Sequence, residues 1–79
     1  MNTQEIQKYL QDNEIYAEVW EQNDQIVVSI EWGDWKHDHL FCVHLMGKAG
    51  YNHVWERVTE EDCSDTYSAE HFFELKQNN

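Results

Sequence analysis

Apolar positions at the start of the chain follow a helical period. In NTQEIQKYLQDN, Ile6, Tyr9 and Leu10 stand at i, i+3 and i+4 and form one face of a helix. Asn2 can cap it, and Glu5 three residues later completes the pattern of a capping box. Asp12 and Asn13 close it. The period then drops to two. In IYAEVWE, Ile15, Ala17 and Val19 alternate with Tyr16, Glu18 and Trp20, and Glu14 falls on the outer set. That predicts a strand with an acidic, aromatic outer face. QNDQ reads as a turn of the Asn and Asp type. QIVVSIEW follows, with Ile26, Val28, Ile30 and Trp32 on one face, so the two runs predict a β-hairpin.

Gly33 and Asp34 interrupt the alternation. HLFCVHLM resumes it: Phe41, Val43 and Leu45 alternate with Leu40, Cys42, His44 and Met46, predicting a third strand, apolar on both faces as a central strand is. GKAG, residues 47 to 50, is a turn, and YNHVWERV returns as a fourth strand or as irregular structure. TEEDCSDTYS is a polar connection in which Thr59 and Asp62 can nucleate a single turn. SAEHFFELKQ predicts a helix capped by Ser68, with Ala69, Phe72, Phe73 and Leu75 at helical spacing. The expected fold is a single α+β domain over residues 1–79. It has an N-terminal helix, an antiparallel meander of three to four strands and a C-terminal helix, arranged as a two-layer sandwich.

Seventy-nine residues lie near the lower limit for a self-sufficient core. Four Trp, four Tyr and three Phe exceed what so small a core needs, since each large aromatic buries roughly 150–250 Å². Some are therefore expected at the surface, where Tyr and Trp favour interfaces. Charge changes the picture most. Sixteen Asp and Glu oppose five Lys and Arg, a net charge of −11. Nucleic-acid binding needs cations to neutralise phosphates, and anionic membranes attract basic segments, so neither is expected. A basic partner is. The acids are interleaved with Ile, Val, Trp and Phe and so belong to a folded surface, densest at 12–24 and 56–65. The N-terminus lacks an apolar run, so a cytoplasmic location is expected, with Cys42 and Cys63 as free thiols.

Two kinds of chemistry compete for the remaining residues. Asp34, His37, Asp38 and His39 offer a mixed oxygen and nitrogen metal site, but the paired C-x2-C or H-x3-H spacing of structural zinc is missing. On a strand, Cys42 and His44 would face away from His37 and His39. Cys42 with a neighbouring histidine suggests a thiol–imidazole pair, yet it lies in an apolar run where a buried thiol is ordinary. Glycine-rich phosphate loops are missing too, so the reading carries no cofactor. The other constellation is the acidic, aromatic surface. Alternate residues on a strand repeat at roughly 6.6–6.8 Å, near two phosphate steps along one nucleic-acid strand. Glu14 and Glu18 share one outer face with Tyr16 between them, and acids so placed could occupy phosphate positions. Glu21, Asp24, Glu56, Glu60, Glu61, Asp62 and Asp65 extend the acidic set, while Tyr16, Trp20 and Trp35 are candidate anchors.

In size, acidity and element order the chain resembles the small anti-defence proteins of bacteriophages and mobile elements, including anti-CRISPR proteins and other DNA mimics. The resemblance implies a non-enzymatic inhibitor that binds a basic nucleic-acid-binding protein, such as a nuclease or CRISPR effector, in the host cytoplasm. A small metal-binding or catalytic domain built on residues 34–44 is the alternative. A regulatory domain that forms a homodimer through an outer strand bearing Tyr16 and Trp20 is the third.

Overall fold

A computed structural model of the protein describes residues 1–77. It is an α+β fold with element order α1 (Thr3–Asp12), β1 (Glu18–Gln22), β2 (Gln25–Asp34), a π-helix (Trp35–Leu40), α2 (Phe41–Lys48), β3 (Tyr51–Glu61) and β4 (Thr66–Leu75). The four strands form one antiparallel sheet in the order β1-β2-β4-β3. The molecule is elongated, 42 × 24 × 19 Å.

Helix α1 follows its sequence signals. The Asn2 side chain accepts from the Glu5 N–H, and the Glu5 carboxylate accepts from the Asn2 N–H, satisfying two otherwise orphaned donors. Ile6 and Leu10 are fully buried and Tyr9 donates its hydroxyl to the Leu45 carbonyl at 2.8 Å. The β1–β2 hairpin also forms, closed by Asn23 and Asp24, both at positive φ (52° and 64°). Those are the dihedrals a two-residue type I′ turn needs, and Asn and Asp tolerate them better than most residues. Strand β1 starts only at Glu18, so Ile15 and Tyr16 lie before it.

The third expected strand is helical. Asp34 caps the π-helix by accepting from the His37 N–H at 2.7 Å, and Asp38 accepts in return from the Asp34 N–H at 2.8 Å. The apolar run of residues 40–46 satisfies both periods, but the buried positions His39, Cys42, Leu45 and Met46 step by three, three and one. That is the helical stripe. Gly50, at φ +100°, ends α2 in a conformation other residues reach only with strain. A second glycine is fixed by space: a Cβ on Gly33 would meet Asp38 Cβ and Ile30 Cγ2 at 2.9 Å.

The expected C-terminal helix is strand β4, and the expected meander is broken by it. Residues 68–75 place Ala69, His71 and Phe73 on the helix face and Phe72 on the other, and pairing along both edges with β2 and β3 outweighs the helical preference of Ala, Glu and Leu. Thr59 does not start a turn. It lies in β3 and donates to the Ser68 carbonyl at 3.1 Å, while Asp62 begins the β3–β4 connection. Trp32 leaves the face of Ile26, Val28 and Ile30, because a bulge between Ile30 and Gly33 turns it out at φ 51°.

Both helices cover the same face of the sheet. Ile6, Leu10, Cys42, Leu45 and Met46 meet Val28, Ile30, Tyr51 and Phe73 in one cluster. Val27 and Phe72, one residue away in each strand, point to the other face and stand outside that cluster. Among the described residues no helix is long and apolar enough to cross a membrane.

Candidate functional site

The open face of the sheet is organised in cross-strand rows, because directly paired residues share a face. The central row is Trp20, Val27, Phe72 and Trp55, one from each strand. Val27 is fully buried and Phe72 nearly so, while the indoles that flank them in the row remain partly exposed. Trp55 stacks on Phe72 with centroids 4.3 Å apart and planes 8° from parallel. A bulge puts it there. His53 pairs with Phe73 and Trp55 with Phe72, so Val54 is the extra residue. Without it Trp55 would stand opposite His71, on the helix side.

On one side of this row run Glu18, Ser29, Glu70 and Arg57. Arg57 forms an ion pair with Glu70. The other side holds Gln22 with Gln25 and Glu74 with Asn52, and Gln25 Nε2 donates to Glu74 at 3.0 Å. Trp20 donates its indole N–H to Gln22 at 3.3 Å. Beyond Glu18 the face opens into a cleft of about 340 Å³ between α1 and the strands, lined by Gln7, Gln11, Tyr16, Glu18, Ser29 and Glu31.

The acids named from sequence fall into separate places. Glu21 and Asp24 lie at the β1–β2 turn, Glu14 follows α1, and Glu18 opens β1. Glu60, Glu61, Asp62 and Asp65 gather at the tip of the β3–β4 hairpin, at the opposite end of the sheet. The seven residue steps of β4 between Phe73 and Thr66 separate the two ends by about 23 Å. Ser64 donates its hydroxyl and its N–H to Asp62, at 2.7 and 2.9 Å, and holds that carboxyl below its ordinary pKa. Tyr67 donates to Asp65, which raises the phenol's pKa. Tyr16 is exposed beside the cleft. Trp35 lies half-buried rather than at a free surface, stacked on His39 at 5.1 Å and edge-on to Tyr67 at 5.2 Å.

The metal candidates diverge. Asp34 and Asp38 are engaged in backbone capping, His37 is exposed, and His39 turns into the core. Two residues apart on a helix, His37 and His39 point in different directions rather than to one strand face. Among the described residues no group of three His, Cys, Asp or Glu is arranged around a metal position. Cys42 is on the helical core stripe, its thiol pushed up to about 12 by burial, so it does not supply a thiolate. His44 is exposed on α2.

His39 instead begins a chain of three imidazoles. Its Nε2 lies 2.8 Å from the Tyr67 carbonyl and its Nδ1 2.8 Å from His71 Nε2. His71 Nδ1 lies 3.3 Å from His53 Nε2, and His53 reaches the surface 3.9 Å from Glu56. A carbonyl only accepts, so His39 Nε2 carries hydrogen. With the rings neutral, each Nδ1 then accepts and His71 Nε2 and His53 Nε2 donate. The tautomers are thus set in sequence from the core outward. Burial first, then the neighbouring His39 and His53, push the His71 pKa down to about 3. The chain ties the π-helix to β4 and β3. His39 and His71 are closed to any substrate, at 0% and 1% exposure.

Reading 68–75 as a helix hid both Phe72 on the open face and His71 in the chain. The available signal was the pair Phe72 and Phe73, which on a strand puts one large apolar group on each face. Comparison with protein-family models, curated proteins and solved structures finds no match.

Proposed function

We propose that the chain is a non-enzymatic acidic inhibitor that binds a basic nucleic-acid-binding protein, of the nuclease or CRISPR-effector kind, and blocks its nucleic-acid site. One observation carries this reading: the negative charge is uncompensated along the whole length of a narrow molecule. Among the described residues only Asp12 and Glu70 are paired with a Lys or Arg. A net charge of −11 over 42 Å is one charge per about 3.8 Å, close to the 3.4 Å of a single nucleic-acid strand. A basic groove built to neutralise phosphates meets a similar line charge here. Association is steered electrostatically and slows as salt rises.

The test is titration of the chain against purified nucleases and CRISPR effector complexes at about 50 mM salt, with DNA as competitor. Inhibition that is relieved by DNA and weakened by salt is the expected result. Failure to bind any of them at low salt, or binding that leaves DNA on the same protein undisturbed, refutes the proposal.

A further inference from the structure

We infer that the open face of the sheet is the docking site for a basic protein partner, with Trp20 and Trp55 seated in apolar recesses of that partner and Glu18 and Glu74 facing its lysines and arginines. This rests on the chain being a binder of basic proteins, and adds the face and the contact chemistry.

Three observations converge on it. First, the face is apolar where an uncovered antiparallel sheet is ordinarily polar. The row Trp20, Val27, Phe72 and Trp55 spans four strands, about 14 Å at ~4.8 Å per strand, with a polar row roughly 7 Å to either side. A central aromatic strip with a polar rim is how binding energy is concentrated in protein interfaces. Second, the arrangement is built. The Val54 bulge places Trp55 here rather than over the core, and bulges re-aim side chains at binding sites. Both indoles are already partly immobilised, Trp55 by Phe72 and Trp20 by Gln22, which lowers the entropy lost on binding.

Third, charge complementarity selects the occupant. The two flanking rows hold three carboxylates, Glu18, Glu70 and Glu74, against Arg57 alone, and Glu31 adds another in the adjoining cleft. A second copy stacked on this face would oppose two bodies of −11 each and set like charges against each other. A basic surface with an apolar strip has no such conflict.

A ten-residue peptide of alternating arginine and leucine is the probe, titrated at low salt into the 15N-labelled full chain. The indole N–H signals of Trp20 and Trp55 and the amides of Val27 and Phe72 are expected to shift together. Trp20→Ser with Trp55→Ser is expected to weaken peptide binding at least tenfold. Glu18→Lys with Glu74→Lys, at exposed sites that leave the core intact, gives the same loss without touching an aromatic. Glu21→Gln with Asp24→Asn should change affinity less than twofold. Shifts confined to Glu60–Asp65 with unmoved indoles overturn the inference, and so does a lack of binding. Concentration-dependent sedimentation as a dimer that broadens the indole signals without peptide overturns it in favour of a second copy. Inhibition of a nuclease that survives the Trp20 and Trp55 changes removes this docking face and leaves the proposed function standing. Peptide binding at this face without any nuclease inhibited does the reverse.

Discussion

Val27 and Val28, and Phe72 and Phe73, are sequence neighbours that are all buried, for opposite reasons. Val28 and Phe73 are sealed under two helices, on a face that also admits three histidines. Phe72 lies under the Trp55 indole and Val27 pairs with Trp20, and both indoles remain partly open to solvent. A soluble antiparallel sheet ordinarily places polar residues outside and apolar ones within. Here the covered face carries an imidazole chain and the uncovered face an aromatic row. The inner exception is resolved by hydrogen bonding, since no buried side-chain nitrogen or oxygen among the described residues lacks a partner. The outer exception has no such resolution inside the chain. Burial fraction alone would rank the two faces as equals, whereas what does the covering separates a core from a contact surface.

The largest expected effect separates the faces directly. Phe73→Ala should cost about 3–5 kcal/mol, because a cavity under two helices collapses poorly. Phe72→Ala should cost at least about 1 kcal/mol less, because on the open face water can enter the space vacated beneath the half-exposed Trp55. Urea denaturation of both variants measures the difference. Equal costs would mean that the open face is as tightly closed as the core.

Acid should act next, and above pH 4.5 it should act first through the covered face. The pKa of His71 is lowered from 6.5 to about 3 in the folded chain. The unfolded chain therefore binds the proton from pH 6.5 downward and the folded chain does not. Stability is whole above 6.5 and falls as pH drops through the window from 6.5 toward 3. The slope is about 1.4 kcal/mol per pH unit, or roughly 2–3 kcal/mol by pH 4.5, before most carboxylates titrate. The groups around the chain are His39 on the π-helix and His53 and Glu56 on β3. His71→Phe should flatten this slope while costing about 1–3 kcal/mol at neutral pH, because His39 Nδ1 loses its donor. An unchanged slope in that variant would exclude His71 as the source.

The same contrast explains which parts of the molecule were legible in the sequence. The Asn2–Glu5 capping box and the Asn23–Asp24 turn are local devices, and local pattern identified both. The α+β class followed from them. Residues 35–48 failed because LFCVHLM fits two periods at once, and the deciding features were Asp34 as a cap and Gly50 as a stop. Residues 68–75 failed because the adjacent Phe72 and Phe73 blur the alternation, and a central strand borrows its order from neighbours far along the chain. The site divides likewise. Trp20 and Glu18 are visible in an alternating strand. Pairing of Trp55 with Phe72, or of His39 with His71, depends on a bulge and on register across 17 and 32 residues, and no local pattern encodes that.

Smaller effects sharpen the outer half of the comparison. Trp55→Ala should cost only about 1 kcal/mol of stability, the scale of one aromatic stack at a half-exposed site. Thermal melting at neutral pH reads this. A loss near that of Phe73→Ala would make Trp55 a core residue and remove the contrast between the faces.

The smallest effect has opposite signs in folding and in binding. Arg57 is the one cation in the rows of the open face, paired with Glu70, and its side chain is 61% exposed. An exposed ion pair contributes only about 0.2–1 kcal/mol, so Arg57→Ala should lower stability by no more than that, and by less at high salt. Its removal leaves Glu18, Glu70 and Glu74 unopposed on the face. If a basic surface docks there, association with the arginine–leucine peptide should quicken, with a steeper salt dependence, although the fold is slightly weaker. A contact that used Arg57 to meet an acidic group would slow instead. Stopped-flow association rates of the wild-type and Arg57→Ala chains, each at two salt concentrations, distinguish these outcomes, because a merely structural role for the pair would move the melting temperature and leave the rates alike.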